Sequence, residues 1–321
     1  MSPKNNTEKE NFGFSLIRIF PLFSVLSNYS TQSLQADSKS ALNVALLAIP
    51  QGMAYALVSG LPIQYGLLGS AVAAIVGCLF SNSRFITLGP TNATSVLLFG
   101  VFASLGLINQ DGMCSERAIE LLPWILFVSG AFLIMAALLR ISFMIQFVSR
   151  TVITAYVTAA AALIIANQAK HVLGLELDSN DSIATFWQII FATVRALAEF
   201  STSALLISGF TAISYILLQY KLKTLPNVAI TLLLASIVNY ILKDSIGNVH
   251  TLAHFDSSLS ILPSIHFNTL ENFSGTILSA SMAIALLCLL EGLSIGKSLA
   301  ARAGERIQTN QETFAIGMGN I

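Results

Sequence analysis

Glu291 has the most unusual surroundings of any ionisable side chain in this sequence, because it lies within the apolar run 286–296. The other fifteen of the sixteen acidic residues fall in tails or in loops between apolar segments. An ionisable group in the middle of a segment long enough to cross a membrane is costly unless it faces a cavity or a partner. We therefore take Glu291 as the first candidate for a functional residue.

A polar pair, Gln51 and Tyr55, lies in another apolar segment next to Pro50. Residues four apart share one face of a helix. A proline in mid-membrane removes a backbone hydrogen bond and opens the helix, which is tolerated where protein or a cavity surrounds it. The pair indicates either a polar binding site or a kinked packing helix whose amide and hydroxyl bond to neighbouring helices, and we favour the site.

A third group follows Gly89 and Pro90, a residue pair that suits the start of a helix. The residues after the proline are Thr91, Asn92, Ala93, Thr94 and Ser95. If this helix begins partway through the membrane, its unpaired N–H groups and the neighbouring hydroxyls form an anion site without a basic side chain. An ordinary span that begins at a proline-capped interface fits the same residues equally well.

The elements that must hold these residues are membrane helices. The chain has 321 residues, 55% hydrophobic and 10% charged, and its mean hydropathy is +0.75. A soluble domain usually has about 25% charged residues. The sixteen basic and sixteen acidic residues give a net charge of +0, so nothing suggests a nucleic acid partner. The composition predicts an all-α polytopic membrane protein in a lipid bilayer.

Eight apolar segments have roughly the length that crosses about 30 Å of hydrocarbon. They are residues 41–57, 65–80, 91–108, 121–139, 151–166, 204–220, 228–242 and 273–296. The further apolar stretch 183–200 contains Arg195 and Glu199, so we expect it to lie in the membrane interface. With the amino terminus in the cytoplasm, twelve Lys and Arg residues are inside and four are outside, which satisfies the positive-inside rule.

These boundaries divide the chain into five parts. They are a cytoplasmic amino-terminal segment 1–40, helices one to seven over 41–242 with an interfacial helix at about 183–200, an extracellular loop 243–272, an eighth helix 273–299 and a cytoplasmic linker 300–321.

Enzyme and metal motifs find little support. The run 292–298 is similar to a phosphate-binding loop, but Glu291 occupies the place of its first glycine and the run lies in a predicted membrane helix. His250 and His254 are four apart in a predicted loop without a further ligand. We therefore expect neither an enzyme nor a cofactor or metal.

Longer stretches resemble the SulP family of sulfate permeases and anion exchangers. Residues 48–95 read AIPQGMAYALVSGLPIQYGLLGSAVAAIVGCLFSNSRFITLGPTNATS, with the PQGMAYA, GLPIQYGL, SR and GPT elements in the family's order and spacing. The stretch FVSRTVITAYVTAAAALIIANQAKHVLGL is similar to the family's fifth span. The end, LLCLLEGLSIGKSLAARAGERIQTNQETFAIGMGNI, is similar to its eighth span and the following linker. The resemblance covers residues 40 to 321.

The resemblance implies a fold of fourteen spans in two inverted seven-helix repeats, with a core domain and a gate domain. Two half-helices, the third and the tenth, meet where the anion binds. Gln51 and Tyr55 match the family's first-span substrate positions, and Thr91, Asn92 and Ala93 match its third half-helix, with Thr94 beside them. Glu291 matches an acidic position linked to the coupling ion. This chain would then hold the first repeat and the eighth span, without helices nine to fourteen and the cytoplasmic STAS domain.

The leading hypothesis is a secondary active anion transporter in the cell membrane, specifically a sulfate permease coupled to protons or sodium, with elevator-type alternating access. Sulfate, bicarbonate and chloride all suit a site built from helix dipoles and hydroxyls. The resemblance also implies a homodimer for the full-length protein. Two alternatives stay open at this stage: a non-transporting fragment or remnant of such a permease, and a nucleobase–proton symporter of the same fold.

Overall fold

A computed structural model describes residues 20–27, 29–109, 112–140, 186–221, 227–246 and 267–321, with isolated positions between 151 and 175. Within these residues the chain is helical and contains no β-strand, apart from an isolated bridge between Ile108 and Cys114. This architecture confirms the predicted all-α fold class.

Ten α-helices and one 3₁₀ turn are described in these parts of the chain. They are α1 (Leu22–Leu26), α2 (Thr31–Val58), α3 (Ile63–Phe80), α4 (Asn92–Ser104), α5 (Glu116–Leu138), α6 (Phe186–Arg195) continued by the 3₁₀ turn Ala196–Glu199, α7 (Thr202–Lys221), α8 (Asn227–Ile246), α9 (Phe267–Arg302, with a kink at Phe273) and α10 (Thr309–Asn320).

Five of the described helices are long and apolar enough to cross a membrane: α2, α3, α5, α7 and the Phe273–Arg302 part of α9. Helix α4 and the Ile230–Leu242 part of α8 are shorter apolar helices. Seven of the eight predicted spans therefore coincide with an apolar helix. The remaining one, 151–166, lies mostly outside the described residues.

Several boundaries differ from the expected ones. Helix α2 begins at Thr31, within the predicted amino-terminal segment, because Ser30 caps it through a side-chain bond to the Ser33 amide. Helix α5 begins at Glu116, five residues before the predicted span. Helix α10 (Thr309–Asn320) lies within the stretch 300–321, and the cytoplasmic linker expected there stays a prediction.

Helices α5, α9, α10 and α3 form the close-packed centre of the described structure. Helix α10 packs against α5 and α3, and α9 packs against α5 and α4. One buried apolar cluster joins Leu133 of α5, Leu293 of α9 and Ile316 of α10. At the crossing of α5 and α10, a Cβ atom added to Gly317 would lie 3.0 Å from the Gly130 carbonyl oxygen. The two backbones can approach this closely because both residues are glycine.

Helices α7 and α8 pack against each other, and α8 also contacts α2. Their large apolar side chains, such as Ile213, Leu217 and Ile237, are mostly exposed in the isolated chain. Exposed leucine and isoleucine on a spanning helix are what a lipid or protein neighbour within the bilayer would cover.

Candidate functional site

The first turn of α4 begins directly after the Gly89-Pro90 pair. Thr91 is its extended N-cap, and a capping box links it to Thr94: each hydroxyl oxygen accepts a 3.3 Å hydrogen bond from the other residue's amide. The Ser95 amide donates to the Thr91 carbonyl at 3.0 Å and starts the helical ladder. The helix therefore begins where the proline indicates that it should.

The capping box leaves two backbone amides at this helix start without a hydrogen-bond partner among the described residues. The first four N–H groups of an α-helix have no partner within the helix. Here Thr91 and Thr94 are satisfied by each other's hydroxyls, while the amides of Asn92 and Ala93 have no such partner among the described residues. These two N–H groups lie at the positive end of the helix dipole.

Glu291 faces this helix start from α9. The Thr91 hydroxyl donates a 2.8 Å hydrogen bond to Glu291 Oε2, joining residues that are 200 positions apart in the chain. The Glu291 side chain is half-buried, and none of the described basic side chains forms an ion pair with it. A helix N-terminus favours a nearby negative charge, so the dipole of α4 partly compensates for this carboxylate.

Gln51 and Tyr55 lie one turn apart on α2, and the Gln51 side-chain amide donates a 2.9 Å hydrogen bond to the Tyr55 hydroxyl. Helix α2 contains Pro50 without interruption and contacts both α3 and α4. Within the described residues, this pair forms no hydrogen bond to Thr91 or Glu291. The structure thus forms two polar groups on adjacent helices.

A second buried acid, Glu312 of α10, was not anticipated from the sequence. Its side chain is 1% exposed, and it accepts hydrogen bonds from the Ser81 hydroxyl at 2.6 Å and the Asn82 amide at 2.9 Å. Next to it, the Gln311 side chain donates to the Phe80 carbonyl at 2.6 Å. The hydropathy of α10 is too low to indicate burial. A sequence feature that could have indicated close packing of α10 is the spacing of Thr313 and Gly317, which are small residues four apart on one helix face.

The predicted loop histidines, His250 and His254, lie outside the described residues. Among the residues that are described, no group of three His, Cys, Asp or Glu side chains is arranged to hold a metal ion.

The sequence profile of the sulfate permease family matches residues 34–321. The chain belongs to the sulfate permease family. This membership confirms the resemblance that the PQGMAYA and GPT elements indicate.

Curated relatives of this sulfate permease family chain carry transporter names. It is 29% identical over 315 residues to "Sulfate transporter 2.1" of Arabidopsis thaliana, covering 94% of this chain and 45% of that protein. It is 28% identical over 328 residues to "Solute carrier family 26 member 6" of Homo sapiens, covering 95% of this chain and 42% of that one. The chain thus spans less than half the length of these two relatives. Their transporter names agree with the expectation that the chain is not an enzyme.

Two solved structures share the fold of this family member. The overall structure of SLC26A9 matches with a TM-score of 0.71 and 18% identity, over 94% of this chain and 49% of that one. The transmembrane domain of the cyanobacterium bicarbonate transporter BicA matches with a TM-score of 0.65 and 18% identity, over 91% of this chain and 72% of that one. The fold of this chain therefore matches part of each of these structures. Family membership and the five helices long enough to cross a membrane make it a multi-pass membrane protein.

Proposed function

We propose that this chain carries the anion-binding first turn and the coupling acid of a secondary active anion transporter. Sulfate is the first substrate to test, with bicarbonate and chloride next, and protons or sodium are the coupling ions. The observation that supports this most is the meeting of the α4 helix start with Glu291 through the Thr91 hydroxyl. It joins an anion-attracting group and an ionisable group in one small space.

In this proposal the anion binds at the first turn of α4. The amides of Asn92 and Ala93 donate to it, the positive end of the helix dipole attracts it, and the Thr91 and Thr94 hydroxyls line the approach. Gln51 and Tyr55 contribute a second polar group from α2. Because helix dipoles and hydroxyls supply the attraction, this site needs no Lys or Arg.

Glu291 couples the anion to a cation because its charge opposes anion binding. Two like charges about 4 Å apart repel by about 4 kcal/mol at an effective dielectric constant of about 20. Protonation of Glu291 removes this repulsion and releases the Thr91 hydroxyl as a donor for the anion. Proton and anion then favour each other's binding by the same factor, as linkage requires. Sodium beside the carboxylate would have a similar effect.

The transport cycle that fits this fold is an elevator-type movement of a core domain against a gate domain. We place the protein in the cell membrane with its amino terminus in the cytoplasm, since twelve of the sixteen Lys and Arg residues then lie inside. In the full-length protein we expect a homodimer.

Uptake of radiolabelled sulfate into liposomes containing the chain, measured at several external pH values, tests this function. With proton coupling, Glu291→Gln should remove the pH dependence and the accumulation of sulfate against its gradient, while Glu305→Gln, which changes an exposed acid, should keep both. A Glu291→Gln protein that still concentrates sulfate would contradict the coupling role. Binding of radiolabelled sulfate without uptake would favour a non-transporting protein. Uptake of radiolabelled uracil but not of sulfate would favour a nucleobase symporter.

A further inference from the structure

We propose that Glu312 is a positioning residue, which fixes the start of the loop 81–91 on α10 and thereby sets where the first turn of α4 meets Glu291. Its consequence for anion binding rests on the proposed function, whereas its consequence for the geometry of α4 does not.

The first step is the cost of burying Glu312. A buried carboxylate without hydrogen-bond donors is strongly disfavoured. Among the described side chains none forms an ion pair with Glu312. Its main donors are the Ser81 hydroxyl and the Asn82 amide, and the Ser83 amide adds a weaker one. Because the carboxylate needs both donors, it holds the end of α3 and the first loop residues in one place. The bond from Gln311 to the Phe80 carbonyl fixes the same point from the next residue of α10.

The second step is that the middle of the loop is also attached to α9, α10 and the segment between them. Arg84 pairs with Glu305 at the surface, 221 positions away. Ile86 and Leu88 pack against the buried cluster that contains Leu293 and Ile316. Because the loop is held at several points along its length, a shift of its first residues should be transmitted to the first turn of α4.

The third step is that α10 supports Glu291 as well. A Cβ atom added to Gly292, the residue after Glu291, would lie 2.9 Å from Cδ1 of Ile316 on α10. Glu312 lies one turn before Ile316 on the same helix. Helix α10 therefore supports both partners of the Thr91–Glu291 hydrogen bond. It supports Thr91 through the loop and Glu291 through α9.

Hydrogen–deuterium exchange of the chain tests this inference without relying on transport. In Glu312→Ala, the amides of the α4 first turn should exchange about tenfold faster, because the loop loses two buried bonds. The amides of α5 should keep their protection. Ser81→Ala removes the hydroxyl donor to Glu312 together with the bonds of that hydroxyl to the Ser83 backbone, and it leaves the Asn82 amide in place. It should change exchange in the same direction by a smaller factor, and it guards against a Glu312→Ala protein that fails to fold.

Rescue by the conservative variant separates positioning from charge. In Glu312→Gln the side-chain oxygen can still accept from the Asn82 amide, and the side-chain NH₂ can donate to the Ser81 oxygen. Exchange in the α4 first turn should therefore return to within about threefold of the wild-type rate. Equilibrium binding of radiolabelled sulfate should follow the same order, with Glu312→Ala weaker by about tenfold. Glu199→Ala, which changes an exposed acid outside this loop, should leave sulfate binding unchanged.

Three results would overturn the inference. One is faster exchange in Glu312→Ala that stops at residues 82–83 and leaves α4 unchanged. Another is faster exchange that is equal in α4 and α5, which would indicate general loosening. The third is a Glu312→Gln protein as perturbed as Glu312→Ala. If the wild-type chain binds no sulfate, the proposed function fails while the exchange rates still decide the positioning role.

Discussion

Glu291 and Glu312 contact opposite ends of the loop 81–91, and the surroundings of the two carboxylates differ. Glu291 is half-buried and accepts one recorded bond, from the Thr91 hydroxyl. Glu312 is fully buried and accepts hydrogen bonds from the Ser81 hydroxyl and from backbone amides, the Asn82 amide among them. Both carboxylates receive donors from the segment between α3 and α4, although they lie on different helices.

The difference shows how one chemical group can serve two purposes. A hydroxyl donor can rotate away or reverse its role as the carboxyl gains a proton, so the Glu291 contact can be exchanged. A backbone amide cannot reverse, and a donor left unsatisfied in a buried place costs about 1–3 kcal/mol. Glu312 is therefore suited to holding geometry, and Glu291 to changing its partner.

A substitution that displaces α10 should affect the surroundings of both acids, and we expect it to lower the free energy of unfolding the most. In Gly317→Ala the new Cβ would lie 2.8 Å from Cγ1 of Ile134 and 3.0 Å from the Gly130 oxygen, so we expect a loss of about 1–3 kcal/mol in stability. Gly69→Ala is the matched control, because an added Cβ there meets nothing within 4 Å. Thermal unfolding in detergent compares them, and an equal midpoint for both variants would show that the α5–α10 contact is unimportant.

Shortening each acid by one methylene sharpens the comparison directly. Glu312→Asp cannot keep both of its bonds without moving the loop, and we expect a loss of about 1–3 kcal/mol. Glu291→Asp loses one partly exposed bond and should cost less than about 1 kcal/mol. The same unfolding measurement applies to both. If Glu291→Asp is the less stable protein, the assignment of fixed and exchangeable roles is reversed.

Loss of the Thr91 hydroxyl should lower the free energy of unfolding by an intermediate amount. Thr91→Val removes the N-cap of α4 and the donor to Glu291, and replacing a capping side chain typically costs about 1 kcal/mol. Thr91→Ser retains the hydroxyl and should stay near the wild type in both stability and sulfate binding. Sulfate binding that is kept in Thr91→Val but lost in Thr91→Ser would point to the methyl group rather than to the hydroxyl.

The surface ion pair should have the smallest effect. The side chains of Arg84 and Glu305 are 70% and 44% exposed, and exposed pairs contribute about 0–1 kcal/mol. Arg84→Gln should therefore lower the unfolding midpoint only slightly, and high salt should abolish the difference from the wild type. A larger loss that persists at high salt would mean that the pair, rather than Glu312, anchors the loop.

Much of this arrangement could be predicted from local sequence. Pro90 and Thr91 indicate the start of α4, since capping depends on neighbouring residues. The position of Glu291 in an apolar run singles it out in the same way. The hydrogen bond between Gln51 and Tyr55 also follows from helical spacing, because residues four apart are adjacent on one face of a helix.

The partners of the two acids could not be predicted in this way. Thr91 is 200 positions from Glu291, and Ser81 is 231 positions from Glu312. Contacts over such separations depend on how the helices pack. Helix α10 has a further difficulty, because Gln311 and Glu312 lower its hydropathy while being among its most buried residues. Their burial is made possible by polar partners on another element, which a count of apolar residues does not register.

The capping box of α4 has a consequence for how much water an anion could give up at this turn. Thr91 and Thr94 use their own amides and hydroxyls on each other, so two backbone donors remain, those of Asn92 and Ala93. Stripping an anion of its hydration shell is expensive unless each lost water is replaced. An anion held by this turn would therefore exchange only two waters for backbone donors, and any further water that it gave up would have to be replaced by side-chain groups such as the hydroxyls of Thr91 and Tyr55.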